Sequence, residues 1–239
     1  MGYQYIEFNC WHPADLTPRF VRNLKGRCSE AGLQPIAVYG SSFGGEDHHE
    51  LSKDVTHKLR MIDAAVELGC RRVVATGAKR GSKGGLTGIL TVLNEITSYA
   101  EEKGVLICLE NHANNNLESI EDYEKLFQSI DSPNIGLCID RGHFDASGIS
   151  LDDVVAKLHS KVNHIHVKEA AQSGVERFVR FGEGTTDNHK VLEQMLRLGY
   201  QGYVSVELAL SDKSRITQEL RTPIEFFSKY ETRQAQVGP

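Results

Sequence analysis

VLICLENHANNNLESIEDYEKLFQSIDSPNIGLCID (residues 105–140) is the stretch on which the fold turns. It opens on a short apolar run closed by polar residues (VLICLEN, 105–111) and ends on a second apolar run closed by an acid (IGLCID, 135–140). Between them SIEDYEKLFQSI (119–130) begins with a serine followed by Glu121 and Asp122, an N-cap signature, and so reads as a helix. Strand, helix and strand in about 35 residues make a βα unit, whose two strands must run parallel.

The same unit recurs in both directions. Further strands are expected at YQYIEF (3–8), LQPIAVYG (33–40), RRVVATG (71–77), NHIHVKE (163–169) and YVSVEL (203–208). Helices are expected at 49–69 and 86–104, each stopped by a glycine, and at 150–160 and 188–199. Strand starts are spaced by 28 to 40 residues throughout. Such repeats build either an open doubly wound sheet or a closed (β/α)8 barrel. The open sheet wants a glycine fingerprint after its first strand, and EFNCWHPAD (7–15) has none. The fold class is therefore α/β and the architecture a (β/α)8 barrel, with seven strands counted instead of eight. No linker or shift in composition divides residues 1–239, so a single domain is expected.

Composition narrows the function. The chain of 239 residues carries 27 Lys+Arg against 32 Asp+Glu, a formal net charge of −5, with 40% hydrophobic and 25% charged residues. This is too apolar for a disordered chain and too acidic to attract nucleic acid without a local basic patch. No run approaches the roughly 18 apolar residues of a membrane span, and the N-terminus lacks the basic and apolar regions of a signal peptide. Five cysteines, an odd number without a CxxC pair, favour reduced thiols and a cytoplasmic protein.

In parallel α/β folds the chemistry sits at the C-terminal ends of the strands. Glu110, Asp140, His166 and Glu207 lie at or near those ends in four late strands. Three carboxylates brought to one mouth repel one another unless a cation lies between them. Three carboxylates and an imidazole suit one divalent metal ion: Mn2+, Mg2+, Co2+ or Zn2+. A structural charge network is the alternative. Around this set, His143 is placed to bond a substrate oxygen or to serve as a cap. Lys168, on the same strand face as His166, is placed to bind a carboxylate or phosphate or to pair with an acid. RFVRFGEGTTD (177–187) reads as a mobile flap from which Arg180 reaches an anionic or hydroxyl group, or only solvent. Asn111 lines the mouth or a polar loop, and Trp11 stacks on a sugar face or packs. The run AKRGSKGG (78–85) lacks nucleotide-loop spacing, which leaves it the role of neutralising a substrate phosphate at the rim.

The late-strand set ICLENH, CIDRGHF, HIHVKE, GEG and GYQGYVSVEL resembles the xylose-isomerase-like TIM-barrel superfamily. Ketose 3-epimerases, hydroxypyruvate isomerase, inosose dehydratase and endonuclease IV belong to it. The match covers most of the chain and is most specific from about residue 105 to 208. In the epimerase branch the corresponding Glu, Asp, His and Glu bind one divalent metal. That implies Glu110, Asp140, His166 and Glu207 as ligands, Glu110 and Glu207 as the proton-transfer pair, and His143 against substrate.

Three departures qualify the resemblance. Endonuclease IV has an Asp-x-His before its GEG, where this chain has Glu176-Arg177-Phe178, and its third strand ends in VYGSS without the expected histidine. Both argue against a trinuclear nuclease site. Asn116 replaces a second epimerase glutamate, and Gln172 replaces an arginine. Finally, Met1-Gly2-Tyr3 looks like the end of the family's first helix, with the preceding βα unit absent. Either natural sequence precedes Met1, or the barrel closes with seven strands or with a partner, so a homo-oligomer is among the expectations.

The resemblance implies a metal-dependent isomerase or epimerase acting on a small sugar or sugar phosphate, with no nucleic-acid or membrane partner. A dehydratase (lyase) of a keto-polyol and a non-catalytic sugar-binding barrel are the alternatives.

Overall fold

Side chains alternate along a strand, so a barrel strand sends one set outward to the helices and the other into the barrel. The computed structural model describes residues 2–82, 84–209 and 213–234. Strands β1 (Tyr5–Asn9), β2 (Gln34–Tyr39), β3 (Arg72–Thr76), β4 (Leu106–Glu110), β5 (Ile135–Asp140) and β6 (Val162–Val167) follow one another in a parallel sheet. A small antiparallel hairpin, β7 (Ala170–Gln172) and β8 (Val175–Phe178), comes next, and β9 (Val204–Val206) returns to pair with β6. The seven parallel strands form a nearly closed barrel. Among the described residues no ladder joins β1 to β9. Their side chains nevertheless meet: the Tyr5 and Tyr203 rings lie 5.1 Å apart, and Ser205 Oγ donates to Glu7 at 2.5 Å.

Nine helices cover the wall among the described residues: α1 (Pro18–Ala31), α2 (His48–Leu68), α3 (Gly85–Lys103), α4 (Ile120–Ser129), α5 (Arg141–Ala146), α6 (Leu151–Leu158), α7 (Asn188–Arg197), α8 (Ile216–Glu219) and α9 (Arg221–Gln234). The five helices expected from periodicity are α2, α3, α4, α6 and α7. α2 starts where the Asp47 side chain accepts from Glu50 N, and stops at Gly69, whose φ of 79° is left-handed. In α4 Ser119 and Asp122 form the reciprocal capping box that its sequence announces.

On the outer face Val73, Ala75, Ile107, Leu109, Leu137, Ile139, Ile165 and Val167 are buried against the helices in one large core. Burying each large aliphatic side chain is worth about 1.5–3 kcal/mol. The inner face is narrower and made of smaller groups: Ala37, Val74, Cys108 and Cys138 pack together, with Tyr39 and Leu106 against them. All five cysteines are buried and free.

Two expectations change. Residues 177–187 are not a free flap: the first two belong to β8, and the remainder is pinned. Val179 N donates to Glu169 O and Thr185 N to Ala170 O, both at 3.0 Å, and Thr186 Oγ1 donates to Asp145 Oδ2 at 2.9 Å. In the run 78–85, Lys83 lies outside the described residues, and Arg80 is paired with Glu118 and Asp122. Gly84 serves close packing there, since a Cβ on it would stand 2.2 Å from Gly45 O. No helix among the described residues is long and apolar enough to cross a membrane.

Candidate metal centre at the barrel mouth

The inward residues of β4, β5 and β6 end in Glu110, Asp140 and His166, and Glu207 follows β9 directly. Adjacent strands in register bring them together, with Asp140 opposite His166 and Glu207 N bonded to Val167 O at 3.0 Å. One ligand atom from each of the four lies within 4.8 Å of the others. Glu110 and Asp140 are buried, whereas the Glu207 side chain is 42% exposed at the mouth.

Each group has a distinct environment. Glu110 accepts from Tyr39 Oη at 2.6 Å and lies 2.5 Å from His166 Nδ1. Burial alone would raise its carboxyl pKa, but His166 and the Tyr39 hydroxyl hold it below the usual range. His166 runs the other way. Burial disfavours its charge, and Cys138, Glu7 and Glu110 outweigh burial and hold it well above the usual imidazole value. Glu207 is paired with Lys168. Asp140 is the exception: burial, with the Glu207 and Glu110 charges added, pushes its carboxyl up to about 8 against the pull of Lys168.

That exception tests whether a cation fits. Asp140 Oδ1 accepts from His143 N at 2.9 Å, but Oδ2 is buried with no hydrogen-bond partner among the described residues. A charge network of protein groups alone closes around Glu110 and Glu207 and leaves this oxygen bare. Buried acceptors without donors are costly, and a cation held by Asp140, Glu110, His166 and Glu207 would satisfy it. The donor set, three carboxylates and an imidazole, suits a divalent ion.

The other expected site residues fall as follows. His143 opens α5 from Asp140 and is buried between the rings of His112 (3.7 Å) and Phe178 (4.6 Å), its Nε2 3.2 Å from Lys168 Nζ. Burial and the Lys168 charge keep its imidazole far below the usual pKa, hence neutral. Lys168 reaches into the cluster, and its ammonium also lies 4.5 Å from the Phe178 ring centroid. Asn111 is beside the site, with its amide clamping the backbone of Asp140 (Asp140 N to Oδ1 2.7 Å, Nδ2 to Asp140 O 2.9 Å). Trp11 is 54% exposed, 6.1 Å from the ring of Tyr39, which stands 6.0 Å from His166. Arg180 is not drawn into the cluster; its guanidinium pairs with Glu219 at 3.0 Å and Glu183 at 3.7 Å.

Sequence reasoning missed Tyr39, which holds Glu110, and Glu7, His164 and Ser205, which lie beneath His166. The signals were present: an acid inside the apolar strand YIEF, and a histidine two residues before His166, hence on the same strand face. A cleft of about 540 Å³ opens at the opposite end, and its lining of Arg72, His159, Asn163, Tyr200 and neighbours includes no carboxylate.

Comparison with known proteins agrees with this geometry. The sequence profile of the family described as "Xylose isomerase-like TIM barrel" matches residues 1–230. The chain is 24% identical over 252 residues to inosose isomerase of Bacillus subtilis strain 168, covering 96% of this chain and 90% of that one. It is 23% identical over 224 residues to inosose dehydratase of Geobacillus thermodenitrificans strain NG80-2, covering 80% and 74%. A crystal structure of the IOLI protein with a bound zinc atom superposes with a TM-score of 0.78 at 25% identity, over 96% of this chain and 90% of that one. The chain belongs to the xylose isomerase-like TIM-barrel family.

Proposed function

We propose that the protein is a divalent-metal-dependent isomerase or epimerase of a small sugar-like polyol ketone, built as one barrel domain over residues 1–239. The convergence of Glu110, Asp140, His166 and Glu207, with one Asp140 oxygen bare, carries this reading. A cation held there would polarise the substrate carbonyl and stabilise the negative charge that develops on its oxygens.

The side chains divide the remaining work. A C–H next to a carbonyl is weakly acidic, so a base must stand beside it and an acid must return the proton. Glu207, open to the mouth, and Glu110, locked by Tyr39, are the two carboxylates available. One takes the proton from carbon and the other, or the same one, delivers it. Delivery to the opposite face of that carbon is epimerisation, and delivery to the neighbouring carbon is aldose–ketose isomerisation. Lys168 restrains and neutralises Glu207. His143, held neutral, offers a hydrogen bond to a substrate oxygen without adding charge. The exposed Trp11 ring supplies an apolar wall for a sugar face, and Arg180, at the rim, reaches an anionic substituent only by giving up its acidic partners.

A second reading, a metal-dependent dehydratase, is favoured by the match to an inosose dehydratase and by the Lys168 ammonium, a proton donor for a departing hydroxyl. Incubating inososes and ketoses with metal-loaded protein in deuterated water separates the readings. Deuterium on carbon in an isomeric product is the expected outcome; an unsaturated or deoxy product selects the dehydratase. Binding without exchange or turnover would contradict both.

A further inference from the structure

The strand YIEF places an acid where its neighbours are apolar, and β1 turns that acid into the barrel. Glu7 lies in the layer directly beneath the mouth. Its Oε2 faces three groups: Ser205 Oγ at 2.5 Å, His164 Nε2 at 2.9 Å and His166 Nε2 at 3.1 Å; Oε1 is 3.2 Å from the same His166 nitrogen. His166 is therefore held at both ring nitrogens. Nδ1 faces Glu110 Oε1 at 2.5 Å and Glu207 Oε2 at 3.8 Å, while Nε2 faces Glu7. The His164 ring packs edge-on against it, centroids 5.0 Å apart at 81°.

These contacts settle which nitrogen can serve a cation. A neutral imidazole has one N–H and one lone pair. Both nitrogens of His166 face carboxylates, so the metal-free ring carries both protons. A cation ligand must be the neutral form, and only Nδ1 shares the mouth with Glu110, Asp140 and Glu207; a cation there would replace the Nδ1 proton and leave the N–H on Nε2, facing Glu7.

We propose that Glu7 is a positioning residue of the cation site: it fixes the tautomer and ring orientation of His166, with Ser205 and His164 holding its carboxylate in place. Glu7 touches neither substrate nor cation and acts through His166. Such carboxylate–histidine pairs raise the basicity of the ligand and typically contribute ten- to a hundred-fold in metal affinity. The inference rests on the cation reading of the four-residue cluster. Glu7, His164 and His166 also form a compact trio of their own, whose ligand atoms lie within 4.8 Å, so a ligand role for Glu7 is the competing explanation.

Titration of the full-length, metal-free protein with Co2+, followed by calorimetry and by visible absorption of the bound ion, distinguishes these cases. The wild type should bind one Co2+ per chain. Glu7→Gln, nearly the same size but carrying a donor among three donors, should bind one Co2+ about 10–100-fold more weakly with an altered spectrum. Glu7→Asp, which keeps the acceptor, should recover part of the loss, and Ser205→Ala should show a smaller loss. Metal-free melting of each variant reports folding separately. Equal affinity and an unchanged spectrum in Glu7→Gln, or in Ser205→Ala should Glu7→Gln not fold, would overturn the proposal. So would two Co2+ per wild-type chain falling to one in Glu7→Gln, which would make Glu7 a ligand. No Co2+ on the wild type would instead defeat the cation reading beneath it.

Discussion

The two faces of the barrel wall come from alternate residues of the same strands and behave as different materials. Along β4, Ile107 and Leu109 point outward into a dry aliphatic layer, while Leu106, Cys108 and Glu110 point inward. Along β5 the outward set is Ile135, Leu137 and Ile139, and the inward set Gly136, Cys138 and Asp140. Outward, every group is apolar and replaceable by another of similar volume. Inward, small residues below leave room for charged ones above, and those charges are only partly matched by the chain itself. Stability is thus built on one face and reactivity on the other, with a shift of one residue separating them.

The sharpest way to break this division is at Glu207. Glu207→Gln keeps size and removes the base, and should lower exchange of substrate hydrogen with solvent by about 10²–10⁴-fold while leaving the melting temperature nearly unchanged. Near-normal exchange would remove Glu207 from the proton-transfer pair. The opposite experiment is Leu109→Ala, one residue from Glu110 but on the outer face. It should cost about 2–5 kcal/mol of stability, measured by denaturant unfolding, with metal stoichiometry retained in the folded fraction. Loss of the metal site at unchanged stability would show that the faces are not separable.

The same contrast explains what could be read from the chain. The outer face obeys periodicity, so the strands and five of the helices were legible, down to the Ser119 capping box and the stop at Gly69. α1 was not, because PRFVRNLKGRCSEA has few apolar residues and a central glycine, though Thr17 and Pro18 mark its start and Gly32 its end. The β7–β8 hairpin was hidden for another reason: its strands have three and four residues and carry no clear alternation. Of the site, the four clustered groups were visible because each breaks an apolar run near its C-terminal end. Tyr39 and Glu7 were not singled out, because an aromatic or a lone acid in a short strand has many structural uses. Their role appears only when β1, β2, β4 and β6 are brought around one axis.

Smaller effects sharpen the account. Asp140 holds its proton up to about pH 8, and a bound cation must displace it. Metal affinity should therefore rise with pH, about tenfold per unit for each proton expelled, with the Asp140 share of that rise ending above about 8. Metal-free protein should show the reverse. Between the ordinary carboxylate range and about 8 the unfolded chain has lost a proton that the folded chain keeps, so this group's contribution to stability falls as pH rises. Melting curves with and without Co2+ at pH 5, 7 and 9 test both signs; parallel pH profiles would contradict them. Arg180→Ala should change stability by only about 1 kcal/mol, since the arginine side chain is itself 41% exposed although Glu219 beside it is largely covered. A more than tenfold rise in KM for a phosphorylated sugar would place Arg180 against substrate.

The most direct test is elemental analysis of the purified protein after loading with Mn2+, Co2+ or Zn2+ and removal of the excess, for the wild type and for Asp140→Asn. Asparagine keeps the cap on His143 N but cannot ionise, and it replaces the bare carboxylate oxygen. The account predicts about one divalent ion per wild-type chain, lost in Asp140→Asn, with metal-free melting of the variant equal to or above that of the wild type. A wild type that retains no metal under saturating conditions would mean that the inward carboxylates form a closed charge network, and the division of labour between the two faces would fail.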